Sequence, residues 1–176
     1  MANPTYKLIA SQVVGSGGAS SITFSSIPQT YTDLQVVASA RSTRTAASGD
    51  GLDMYFITSG GTLTTGYTYK AVQTDSTTIY NTSTGYEQGW GGVISTNASS
   101  SNAFGSTIFY IPNYTSSNQK SYSVDSVGEN NASSGWLSFN AALNSTTSAI
   151  TGLQFFAGNG SLVQYSTFYL YGIKNS

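Results

Sequence analysis

Carboxylates are the only plausible catalytic groups in this chain, and two of them, Asp50 and Asp53, lie close together in "SGDGLDMYF". Around a turn the two carboxylates can converge as an acid and base or hold a calcium ion, but the dense oxygen spacing of a calcium loop is absent. The plainer expectation is a turn held by ion pairs with Arg41 and Arg44 in "ARSTRTAASGDG". Those arginines can instead reach carboxylates of a neighbouring subunit. Asp125 and Glu129 share a face of an extended segment, but stand roughly 13 Å apart, too far to act as a glycosidase pair. The best ligand candidate is "GYEQGWGG" at residues 85–92. There Tyr86 and Trp90 offer a stacking platform, with Glu87 and Gln88 supplying hydrogen bonds to a sugar, or else the tryptophan anchors a core or a subunit interface.

The absent residue types matter as much. The chain has no histidine and no cysteine. That removes the commonest general base, the commonest transition-metal ligand, every Ser-His-Asp arrangement and any thiolate nucleophile or disulfide. No catalytic residue, metal site or cofactor is therefore expected. "GSGG" at residues 15–18 lacks the Lys-Ser/Thr tail of a phosphate-binding loop and reads as a hairpin turn.

Only 7% of the 176 residues are charged, and six basic against seven acidic residues leave a net charge of -1. No run of like charge can neutralise a row of phosphates, so nucleic acid is not an expected partner. A surface built from Ser, Thr and Asn depends little on Coulomb terms and so is insensitive to salt. The start, "MANPTYKLIASQVVGSGG", lacks the basic start and apolar run of a signal peptide, and no stretch reaches transmembrane length. Synthesis in a cytoplasm, with no membrane partner, is expected. The five Asn-x-Ser/Thr triplets, at Asn81, Asn97, Asn113, Asn131 and Asn144, carry no weight as glycosylation signals in so Ser/Thr-rich a chain.

The elements that must position these residues are strands. Short apolar runs recur between Gly, Ser, Asn and Thr clusters, the rhythm of a sandwich or barrel, and no segment has helical periodicity. The expected strands include "YKLIASQVV", "SSITFSSI", "DLQVVASAR", "LDMYFITS", "YEQGWGGVI", "STIFYIPN", "KSYSVDSV" and "LVQYSTFYLYGIK". Pro4, Pro28 and Pro112 all fall at strand ends. "TDLQVVA" at residue 32 and "TGLQFFA" at residue 151 are alike, as the two halves of a jelly roll can be. The expected fold is an all-β, jelly-roll-like antiparallel β-sandwich forming one domain over residues 1–176, with a short N-terminal arm at 1–5.

The closing segment poses a problem, because both its faces are largely apolar. One face would carry Tyr165, Tyr169 and Tyr171, the other Phe168 and Leu170. One must fill the core, and the tyrosine face is the expected interface with another subunit or shell.

The segments "SITFSSIPQTYTDLQVVASARS", "FYIPNYTSSNQKSYSVDSVGENNASSGW" and "VQYSTFYLYGIKNS" resemble small β-sandwich virion proteins of tailed phages, notably those of cyanobacteria and other aquatic bacteria. The resemblance implies a non-enzymatic, homo-oligomeric structural protein: a capsid decoration or cement protein, or alternatively a head or tail fibre module that recognises a host surface glycan. Few charges and unprotected sheet edges fit a chain covered in an assembly. The simplest form is a trimeric ring seated on the major capsid protein of a virion.

Overall fold

The structure is a computed structural model that describes residues 5–86, 88–130 and 133–174, with the side chains of 80–86 set aside. The N-terminal arm expected at 1–5 therefore lies, but for residue 5, outside the described residues. Thirteen strands and no helix are found among them: β1 Tyr6–Val13, β2 Ile22–Phe24, β3 Asp33–Ser42, β4 Gly49–Thr58, β5 Gly61–Leu63, β6 Tyr67–Thr74, β7 Ile79–Tyr86, β8 Gly89–Thr96, β9 Gly105–Ile111, β10 Lys120–Glu129, β11 Gly135–Asn144, β12 Gly152–Ala157 and β13 Thr167–Ile173. Period-two alternation builds them. In β10, "KSYSVDSVGE", every second side chain is buried along the whole strand.

Pairing is nested: β1 with β13, β2 with β12, β3 with β9 and β4 with β8. These are the rungs of one long hairpin. Rolling it up brings β13 against β3 and β12 against β4, giving sheets β1-β13-β3-β9 and β2-β12-β4-β8. That is the jelly-roll arrangement, in which closure of the roll hides most strand edges. Two insertions enlarge one sheet. The β10–β11 hairpin follows β9, and the β6–β7 hairpin, emitted between β4 and β8, docks on β11, so the larger sheet runs β1-β13-β3-β9-β10-β11-β6-β7. All pairings are antiparallel except a short parallel contact of Arg41 and Ser42 with Ser95 and Thr96, which links the two sheets.

The core lies between the sheets. Phe155 of the smaller sheet meets Phe109 and Phe168 of the larger at ring distances of 5.0 and 5.6 Å, and its own neighbour Phe24 at 6.4 Å. The look-alike segments "DLQVVA" and "GLQFFA" share one burial pattern because β3 and β12 are each flanked on both sides in their sheets. They belong to opposite sheets.

Three local expectations need correction. "YEQGWGGVI" is not one strand, since β7 ends at Tyr86 and β8 begins at Gly89. "GSGG" forms a tight turn, with Gly18 N donating to Gly15 O at 3.0 Å, but it carries the chain from one sheet to the other rather than joining paired strands. The last strand starts only at Thr167, and Tyr165 sits in the preceding turn with φ of 72°, off the strand face on which alternation placed it.

The glycines of β8 allow the close approach that the roll requires. A Cβ on Gly91 would stand 1.9 Å from the Leu52 carbonyl oxygen and 2.5 Å from the Phe109 ring. Gly91→Ala should therefore cost at least the ~1–3 kcal/mol of an overpacked core. Urea denaturation measures this, and a midpoint equal to wild type would contradict the packing.

Candidate functional site

The site is a cleft of about 270 Å³ where β6 and β11 of the larger sheet pass the β4–β8 part of the smaller. β4 supplies Asp50, Gly51 and Asp53, because a bulge opposite β8 between Gly51 and Asp53 re-aims the strand. Gln88 immediately precedes β8 and Trp90 lies near its start, with Gln73 on β6 and Trp136 on β11, while Gly158 and Asn159 form an exposed rim after β12. Both tryptophans of the chain thus line one cleft. Trp90 is stacked on Tyr69 at 5.8 Å and 16° between planes. Glycines keep the cleft open. A Cβ on Gly51 would lie 3.1 Å from the Trp90 ring, and one on Gly49 2.9 Å from that of Trp136.

The two carboxylates have different surroundings. Asp50 accepts from Gly51 N at 2.9 Å and Asn159 Nδ2 at 3.0 Å, and its Oδ1 lies 3.8 Å from Arg44 Nη1. This is the ion pair across the turn that the sequence suggested. Asp53 is buried and, among the described residues, accepts from Gln88 Nε2 at 2.9 Å alone, its Oδ1 having no partner there. Burial pushes its carboxyl up to about 7; the Asp50 charge adds to the rise and the Gln88 hydrogen bond opposes it. Both carboxylates converge beside Gly158, where a Cβ would stand 3.2 Å from Asp53 Oδ2 and 3.6 Å from Asp50 Oδ1. The cleft therefore presents one carboxyl ion-paired with Arg44 and, near neutrality, one acid, Asp53, that can donate or accept. Among the described residues no third acid, histidine or cysteine joins them as a metal cluster.

The other sequence candidates are scattered. Arg41 is 7% exposed and donates to Asn97 Oδ1 and to the carbonyls of Ser99, Ser100 and Ala103, so its guanidinium closes a loop of its own chain and pairs with neither Asp50 nor Asp53. Lys120 is likewise buried, with Nζ donating to the carbonyls of Ser116 and Asn118. Asp125 and Glu129 point outward from one face of β10. Tyr86 contributes backbone pairing with Tyr67, its side chain and all of Glu87 lying outside the described residues, as does Asn131. On β13, Phe168 and Leu170 are fully buried, Tyr169 is 37% exposed and Tyr171 half-buried.

The outer face of the larger sheet is the second feature. Cross-strand partners Tyr169, Val37, Ile108, Asp125, Phe139 and Val72 form one row across it. Among the described residues, ten of the eleven exposed large hydrophobic side chains lie on this face, Tyr165 being the exception.

No family model matches the chain, and no curated protein or solved structure is significantly similar to it.

Proposed function

We propose that this chain is a non-enzymatic structural protein of a tailed-phage virion, a capsid decoration protein that assembles through the outer face of its larger sheet. The observation that carries the reading is the gathering of exposed hydrophobic side chains on that one face. Singly scattered apolar residues are ordinary on a surface, whereas their concentration on one sheet face, even interleaved with Ser, Thr and a few charges, calls for a cover. The occupant we assign is the same face of a second copy. Among its apolar side chains the face carries an acid, Asp125, and a base, Lys70, both exposed, so two copies related by a two-fold axis can oppose unlike charges. This contact replaces the trimeric ring as the proposed subunit interface. The resemblance to phage β-sandwich proteins supports the virion as the setting and the major capsid protein as the further partner.

Copy number per particle tests the placement. Quantitative gel analysis of virions should give hundreds of copies for a shell protein. A few dozen or fewer would move it to a fibre.

A further inference from the structure

We propose that the cleft between Trp90 and Trp136 is a binding site for an uncharged saccharide, independent of the assembly face. The clearest pointer is Asp53, a buried carboxyl in the cleft whose Oδ1 has no partner among the described residues. Buried polar atoms are almost always hydrogen-bonded, so this oxygen is suited to a ligand hydroxyl. Around it the cleft offers the groups that polyols require: carboxyl oxygens, the side-chain amides of Gln73 and Asn159, and two indoles against which the C–H face of a sugar ring can lie. The volume, at the small end for ligand sites, suits one or two rings.

Charge narrows the ligand class. A sulfated or uronic sugar finds no free cation among the lining residues, since Arg44, the base in the lining, is ion-paired with Asp50. A cation is disfavoured too, because Arg44 stands 3.8 Å from Asp50 and the amide nitrogens of Gln88 and Asn159, rather than oxygens, point at the carboxylates. An uncharged ligand rich in hydroxyls remains.

Both tryptophans line the cleft, so their fluorescence responds to its occupation; Trp136 also borders a second pocket beside Glu129 and Leu137, and Gly158→Val distinguishes the two. The whole chain is titrated with glucose, galactose, mannose, N-acetylglucosamine and their homo-oligosaccharides, and in parallel with glucuronic acid, a sulfated disaccharide and calcium chloride. At least one neutral saccharide should shift the emission saturably. Gly158→Val, at an exposed rim position whose backbone any residue can adopt, would place bulk between the two carboxylates and should weaken that response at least about tenfold; Gln73→Ala should weaken it by about threefold to tenfold. Unchanged far-UV circular dichroism certifies the fold of each variant. Silence towards every neutral sugar, tighter binding of an acidic sugar, a saturable response to calcium alone, or binding that survives Gly158→Val would each overturn the proposal.

Discussion

Phe168→Ala should lower folding stability by about 3–5 kcal/mol, while Tyr169→Ser, one residue later, should leave the isolated fold close to wild type. Phe168 is fully buried, and its ring lies 5.6 Å from Phe155 at the junction of the two sheets. Truncation removes the ring's transfer energy and leaves a cavity that strands fixed on both sides by β1 and β3 cannot close. Tyr169 points the other way and is 37% exposed. Its loss should appear in association, by about 1 kcal/mol or more if it anchors the subunit contact. Thermal and urea unfolding of both variants measure the first effect. A stable Phe168→Ala protein beside an unfolded Tyr169→Ser protein would show the two faces to be reversed.

The second large effect is a pH dependence centred on Asp53. Its carboxyl is pushed up to about 7 in the folded chain, whereas the unfolded chain releases the proton near the ordinary value of 3.8. Between those values the folded state binds the proton more tightly. The stability so contributed is fully present below about pH 4 and is lost as pH rises through 7. The loss has a ceiling of roughly 4 kcal/mol, from about three pH units at 1.36 kcal/mol each. Asp53→Asn keeps the shape and the acceptor for Gln88 but carries no charge, so its unfolding free energy should be flat over the same window and exceed that of wild type at pH 8. Urea denaturation at pH 4, 6 and 8 compares them. Parallel profiles would show that Asp53 ionises without cost and is not desolvated.

The sandwich was legible because most strands announce themselves as short apolar runs separated by clusters of Gly, Ser, Asn and Thr. Even the resemblance of "DLQVVA" to "GLQFFA" had a physical basis, since both are interior strands with the same burial pattern. β7 was not legible: "IYNTSTGY" alternates nothing strongly apolar and becomes a strand by docking on β6. Tyr165 misled because strict alternation was extended through a turn whose only local mark is "QYS". The cleft was half-visible. Asp50, Asp53, Gln88 and Trp90 drew attention by type, but their convergence with Gln73, Trp136, Gly158 and Asn159 depends on the inserted hairpins and on the return of the chain after β12. No sequence spacing encodes it. Nor does the sequence show that in "GWGG" the missing side chain at Gly91 lets β8 lie against β4 and Phe109.

Sedimentation velocity of the wild-type chain beside Phe139→Asp puts the assembly face to the test. Phe139 is half-exposed at the middle of the apolar row, next to Asp125 on β10, so an added acid there desolvates poorly and repels its counterpart across a two-fold contact without entering the core. The wild type should sediment as a dimer or larger species at micromolar concentration, and Phe139→Asp as a monomer with unchanged circular dichroism. A wild type that stays monomeric at all concentrations, or a Phe139→Asp protein that associates as strongly as wild type, would contradict the assignment of this face to a second copy.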